Sequence, residues 1–162
     1  MSTITCYVSA KRAQLSSPNL HVVIDKHSII ERTFLMPDYV MYHLEVHPLG
    51  VVCKRNYDDF LKLKNILSAM YPGLKLSYLE SNSWFNTTSI EFIKRQKQML
   101  EYFINDLIRN KEIRNSRFFE EFLTLTEHKQ MKRKFEEYDK LDRPKAVEEL
   151  CLLSGTIPIS IT

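Results

Sequence analysis

Several classes of protein are disfavoured by what this sequence contains little of. Glycine occurs 3 times in 162 residues, at widely separated positions, so no glycine-rich loop can cradle a phosphate. The cysteines Cys6, Cys53 and Cys151 are odd in number and lack metal or redox spacing, which fits a reducing cytosol. No apolar run approaches the roughly 20 residues of a membrane span, and the first residues lack a signal peptide's apolar core. The net charge of +3 is too small to predict a nucleic-acid partner.

Catalytic and metal-binding groups are also sparse. His43 and His47 flank Glu45, but four residues of a strand span roughly 13 Å, which is too far for two side chains to share a metal. No nucleophile elbow is present. We therefore expect a non-catalytic protein with no metal and no cofactor.

Alternating apolar and polar residues predict three strands, at 20–24, at 40–47 and from Val51 onward. Residues 48–50, Pro-Leu-Gly, form a tight connection between the second and third strands. Consecutive strands with one apolar face each predict an antiparallel meander. The longer link, 26–38, is predicted to be a surface loop.

After the three predicted strands, the sequence predicts helices. Asp58 is the predicted N-cap of a first helix that Pro72-Gly73 ends, and Thr88 with Glu91 has the pattern of a capping box for a second. The second helix carries an apolar stripe on which one polar residue falls: Ile93, Gln96, Leu100, Phe103, Ile104 and Leu107. A short phenylalanine-rich helix follows Asn115-Ser116. The predicted fold class is α+β, a small sheet covered by helices on one side.

The third strand delivers Arg55, Tyr57 and a helix N-terminus to one place. Free backbone N–H groups and the helix dipole favour an anion there. The stretch resembles the phox-homology (PX) domain, the phosphoinositide-binding module of sorting nexins. The resemblance rests on four stretches in the family's order: 54–63, 71–74, 92–104 and 118–123. It covers about residues 18–125 and implies three regions: a lead-in at 1–18, a PX domain at 19–125 and a helical or extended appendage at 126–162.

The resemblance also implies a binding pocket, and this chain departs from it. The family's arginine before the motif tyrosine, which holds the 3-phosphate, is Asn56 here. Its arginine on the second helix is Gln96, and its loop lysine falls near Asn82. Each lost charge-assisted contact to phosphate is worth about 1.5–3 kcal/mol, so two or three losses erase micromolar affinity.

Other residues remain candidates for lipid contact. They are the motif tyrosine and nearby basic residues: Arg55, Tyr57, Lys75, Lys94 and Arg95. Arg55 is one residue before Asn56, the family's arginine position. In a strand, one step turns a side chain to the opposite face, which argues against Arg55 as a replacement contact. Arg95 is one helical step from the family position, which a long guanidinium can partly recover. The alternative is that the basic residues form a solvated face.

Two further segments each have two interpretations. Trp84-Phe85 fits the loop tip that enters the bilayer in PX domains, since Trp favours the headgroup zone; alternatively both rings pack on the domain's own core. The basic helix predicted from His128 places Met131, Phe135 and Tyr138 on one face. That face lies on an acidic membrane or docks back on the domain.

The resemblance implies a role in membrane traffic. We expect a cytoplasmic protein attached peripherally to phosphoinositide-containing endosomal membranes, with weak or atypical headgroup selectivity. The alternative is a PX domain that has lost lipid binding and recognises a cargo or coat peptide, for example by strand addition.

Overall fold

The computed structural model describes residues 15–80 and 88–140, apart from the side chains of residues 138 and 139. Its elements follow in chain order, three strands and then five helices. They are β1 (His21–Ile30), β2 (Tyr39–His47), β3 (Val51–Asn56), α1 (Tyr57–Met70), α2 (Ile90–Arg109), α3 (Lys111–Arg114), α4 (Arg117–Thr124) and α5 (His128–Lys140). The predicted α+β class is confirmed.

The three strands form one antiparallel sheet in the order β1-β2-β3. The turn between β2 and β3 ends at Gly50, whose φ of 65° is a left-handed conformation that glycine adopts without strain. The predicted meander is therefore confirmed. The loop predicted at 26–38 is wrong in its first part, because residues 26–30 continue β1 and pair with residues 39–43. The strand continues past a register shift between Val23 and Lys26, and this irregularity breaks the alternation that the sequence showed.

One face of the sheet packs against the helices. Alternate residues of β2 are almost fully buried, as the period of two requires: Val40, Tyr42, Leu44 and Val46. The stripe of α2 is buried as predicted, including Gln96, which is 7% exposed. The apolar core continues through the three phenylalanines of α4, all buried. In the described residues, no helix is both long and apolar enough to cross a membrane.

Two predicted helix caps are displaced. The N-cap of α1 is Asn56 rather than Asp58, and Ser89 rather than Thr88 caps α2. The Ser89 hydroxyl accepts a hydrogen bond from the Phe92 N–H at 3.3 Å. Ser116 caps α4 as predicted. Because several polar residues precede each helix, the sequence identified the helices but not which polar residue begins them.

Helix α5 docks on the domain. Met131 is 0% exposed and Phe135 is 1% exposed, and the Phe135 ring contacts Phe118 edge to face. The ammonium of Lys62 on α1 lies 5.4 Å from the centre of the Phe135 ring. The docking interpretation is thus confirmed for Met131 and Phe135, and the core extends beyond residue 125 as far as α5.

Candidate functional site

The N-terminus of α1 already holds an anion from its own chain. The Asn56 side chain accepts a hydrogen bond from the Asp59 N–H at 2.9 Å, and the Asp59 carboxylate accepts one from the Asn56 N–H at 2.8 Å. This reciprocal pair is a capping box. The His128 Nε2 lies 2.8 Å from Asp59 Oδ2, without the geometry of a directed hydrogen bond. A phosphate at this helix end would meet a buried carboxylate, and two of the N–H groups there, those of Asn56 and Asp59, are already bonded.

Arg55 is part of the core. Its side chain is 0% exposed, and its guanidinium donates to the carbonyls of Phe122, Leu125 and Lys54 at 2.6–3.1 Å. It also lies 5.1 Å from the centre of the Phe122 ring. Burial lowers the pKa of Arg55, with small opposing effects from Cys53 and Asp59. All three nitrogens are bonded, so we exclude Arg55 from the membrane contacts considered below.

Gln96 is held by a tyrosine from the sheet. The Tyr42 hydroxyl donates to Gln96 Oε1, and both side chains are buried. Burial raises the pKa of Tyr42, so the pair is neutral at physiological pH. The position at which the resemblance implies a cation therefore holds a buried polar pair without charge.

Tyr57 fixes the segment that follows α1. Its hydroxyl donates to the carbonyl of Glu80, and its side chain is 5% exposed. Burial, and then the nearby charge of Glu80, raises the pKa of Tyr57 to about 12. The ring offers little free surface for stacking on an inositol in this arrangement.

The remaining basic candidates are exposed and lie on two different segments. Lys75 lies between α1 and α2, whereas Lys94 and Arg95 lie on the first turns of α2. In the part of the chain that the structure describes, no hydrogen bond, ion pair or ring contact joins any of these three residues to Tyr57. Asn82 and the pair Trp84-Phe85 lie outside the described residues.

Sequence reasoning missed an apolar tip between β1 and β2. Phe34 is 104% exposed, Leu35 is 90% exposed and Met36 is 59% exposed. The register places this tip beyond Ile30 and Tyr39, at the end of the paired strands. Three adjacent apolar residues in a segment predicted to be a loop were the available signal, because a solvated loop has no structural need for them.

The starts of α1 and α2 lie beside the part of the β1–β2 hairpin that leads to the tip. Ser28 pairs with Met41 and Met41 pairs with Asn56, so β3 ends two residues from Ile30 and Tyr39, the last pair of the hairpin. His27 lines the same groove as Lys94, which places the start of α2 beside that hairpin.

Comparisons with known proteins agree with this geometry. The family model described as "PX domain" matches residues 50–126, which run from the turn before β3 to just after α4. The chain contains a PX domain. The X-ray structure of a designed CISK-PX domain superposes with a TM-score of 0.55 and 25% identity, covering 63% of this chain and 96% of that chain.

This PX domain is related to those of sorting nexins. Sorting nexin-16 from Mus musculus is 35% identical over 72 residues, and sorting nexin-16 from Homo sapiens is 33% identical over 72 residues. Each alignment covers 44% of this chain and 21% of the relative. The chain therefore matches about a fifth of the length of these relatives.

Proposed function

We propose that this PX domain attaches peripherally to endosomal membranes by inserting the tip of its β1–β2 hairpin, with weak selectivity among phosphoinositide headgroups. The exposure of Phe34 and Leu35, 104% and 90%, carries the proposal. Monomeric soluble proteins rarely leave large apolar side chains this exposed in a contiguous patch without a partner surface. A convex apolar tip fits the boundary between headgroups and acyl chains.

The size of the contact suits reversible attachment. Full burial of a Phe or Leu side chain is worth about 1.5–3 kcal/mol, so the pair supplies at most roughly 3–6 kcal/mol. That is comparable to a single myristoyl chain, which anchors a protein only marginally. A second contact is therefore needed, and each lysine or arginine near an anionic surface adds about 1 kcal/mol. The exposed Lys94 and Arg95, on the first turns of α2 beside the same hairpin, are suited to supply it.

The weak headgroup selectivity follows from bonds within the chain at the positions where the resemblance implies a headgroup pocket. Asn56 is committed to capping α1, Gln96 to Tyr42, and Tyr57 to the Glu80 carbonyl. The hydrogen bonds of Gln96 and Tyr57 join uncharged groups, and Asn56 is bonded to the residue that carries the Asp59 carboxylate. None of the three side chains therefore offers a positive charge to a 3-phosphate. Basic residues spread over a surface attract anionic lipids in general without distinguishing their headgroups.

Flotation with vesicles of phosphatidylcholine and phosphatidylserine tests this mode of attachment. We expect the double variant Phe34→Ser, Leu35→Ser to bind about 100-fold more weakly, because two side chains lose their burial in the bilayer. Tyr102→Ser on α2 is the matched control, since Tyr102 is 61% exposed and lies 12 residues after Ile90, the first residue of that helix. Equal binding by the wild type and the double variant would contradict the proposal.

A second candidate function, non-catalytic recognition of a cargo or coat peptide, is favoured by one observation. An open groove of about 470 Å³ lies between β1 and the start of α2. The groove adjoins β1, one of the two edge strands of the sheet, where an added strand finds backbone partners.

A further inference from the structure

Helix α5 is held on the domain by its apolar side. Met131 and Phe135 lie one turn apart on this side and are 0% and 1% exposed. The centre of the Phe135 ring lies 5.8 Å from that of Phe118, and the His128 Nε2 lies 2.8 Å from the Asp59 carboxylate on α1. The domain itself therefore covers the side of α5 that could have entered a bilayer.

The opposite side of α5 is exposed and basic. Lys129, Lys132 and Arg133 are exposed, and their spacings of three and four residues place them on one face of the helix. Glu136 is the carboxylate on this face within residues 128–137. Over these residues the face therefore carries three positive charges against one negative charge.

The three cations on this face are available to bind an anionic surface. Among the side chains that the structure describes, no salt bridge joins Lys129, Lys132 or Arg133 to a carboxylate, whereas Lys134 on the flank is paired with Glu137 at 3.5 Å. The net charge of the whole chain is +3. An excess of two positive charges on one helical face is therefore a local concentration of charge.

The basic face begins close to the proposed membrane contact. His128, the first residue of α5, lies against Asp59 on the first turn of α1. That helix follows β3, which ends at Asn56, two residues from the last pair of the β1–β2 hairpin. Two residues of a strand span about 7 Å. The start of α5 therefore lies near the hairpin whose tip carries Phe34 and Leu35.

We propose that this basic face of α5 is a further membrane contact, which binds the acidic surface of the bilayer while the hairpin tip enters it. The proposal rests on the membrane attachment proposed above. Because α5 stays docked through Met131 and Phe135, its cations approach the surface without insertion of the helix. Long lysine and arginine side chains reach the phosphate and carboxylate groups of many different lipids. The contact therefore strengthens attachment without selecting a headgroup.

The composition of the face favours a lipid surface over a protein as the partner. The centre of a protein interface is typically apolar or aromatic and poor in lysine. Among the described side chains of α5, no large apolar residue is exposed. An anionic bilayer needs only positive charge at short range, which this face supplies.

Flotation of the full chain with vesicles of phosphatidylcholine and phosphatidylserine tests this contact. The test variant is Lys129→Gln, Lys132→Gln, Arg133→Gln, which removes three charges from exposed positions. Each lysine or arginine near an anionic surface strengthens attachment about fivefold. We therefore expect the test variant to bind roughly 30- to 100-fold more weakly than the wild type at near-physiological salt.

Two further measurements show whether the charge itself is responsible. The charge-retaining variant Lys129→Arg, Lys132→Arg, Arg133→Lys should bind the vesicles like the wild type. In salt of about 1 M, where the Debye length is about 3 Å, the difference between the wild type and the test variant should fall below about threefold.

A matched control separates the position of the charge from its amount. Arg109→Gln, Lys111→Gln, Arg117→Gln removes the same net charge at exposed residues from the end of α2 to the start of α4. Arg109 lies about 28 Å along the helix axis from Ile90, at the end of α2 opposite to the one beside the hairpin. This control should bind within about threefold of the wild type, because salt screens charges at such distances.

Equal vesicle binding by the test variant and the wild type would overturn the proposal, as would an equal loss in the matched control. A difference that persisted at high salt would assign the three residues a structural role, which also overturns it. The Phe34→Ser, Leu35→Ser variant keeps the two membrane proposals distinguishable. If the tip does not enter the bilayer, that variant binds like the wild type while the test variant stays weak. If α5 makes no contact, the result is reversed.

Discussion

Replacing Arg55 should unfold the domain at lower denaturant rather than abolish a lipid contact. The guanidinium donates to three backbone carbonyls at 2.6–3.1 Å and has no exposed surface. A hydrogen bond to a charged group is worth about 1.5–3 kcal/mol, partly offset by the desolvation of the guanidinium. Arg55→Ala also leaves buried carbonyls unpaired and a cavity beside Phe122. We expect a loss of roughly 3–5 kcal/mol in the free energy of unfolding.

Urea unfolding followed by circular dichroism measures this loss. With a slope of about 2 kcal/mol/M, the midpoint should fall by roughly 2 M. Lys54→Ala is the matched control, because Lys54 is the exposed neighbour on the same strand and its loss should change stability by less than about 0.5 kcal/mol. The structural role of Arg55 would be refuted if Arg55→Ala kept its midpoint within 0.5 M of the wild type, or if it lost lipid binding at unchanged stability.

Three smaller predictions concern caps and titrating groups. Asn56→Ala removes one half of the capping box and should lower the free energy of unfolding by about 1 kcal/mol in the same urea assay, whereas Asn56→Ser should cost less. Burial raises the pKa of the Cys53 thiol, so in a Cys6→Ser, Cys151→Ser background Cys53 should react with a thiol reagent only after unfolding; rapid reaction of the native protein would contradict its burial. Burial, and then nearby lysines, lower the pKa of His43, so the unfolded chain protonates first as the pH falls. The stability that His43 contributes is therefore present above the ordinary histidine pKa of about 6.5 and lost below it, and His43→Gln should flatten this part of a pH–stability curve.

The fold was predictable because its elements have regular periods. The alternation in β2 and the spacing of apolar residues on α2 reflect burial directly, and both predictions were confirmed. Even Gln96 was placed correctly on the buried face, because a helix period fixes where a residue points regardless of its polarity. The extension of β1 was missed, because residues 26–30 are stabilised by pairing with β2 rather than by burial.

The candidate site was less predictable, because its contacts join distant parts of the chain. The substitutions at Asn56 and Gln96 were visible. The Asp59 carboxylate at the N-terminus of α1 is three positions from Asn56, a local capping pattern that was overlooked, whereas nothing in the sequence indicated that Tyr42 would bond Gln96 across 54 positions. Two of the three carbonyls that bind Arg55 belong to residues 67 and 70 positions away. Such contacts depend on tertiary packing, which periodicity does not encode.

Headgroup selectivity is the most direct test of the claim that Asn56, Gln96 and Tyr57 no longer form a pocket for a 3-phosphate. Flotation should compare vesicles that carry phosphatidylinositol 3-phosphate with vesicles that carry phosphatidylinositol 4-phosphate, at equal lipid charge and near-physiological salt. Because Asn56 and Gln96 supply no cation to a 3-phosphate, we expect the two affinities to agree within about threefold. If the affinity for phosphatidylinositol 3-phosphate were tenfold or more higher, and if Tyr57→Ala removed this preference, a headgroup would still bind beside Tyr57. That result would contradict the account.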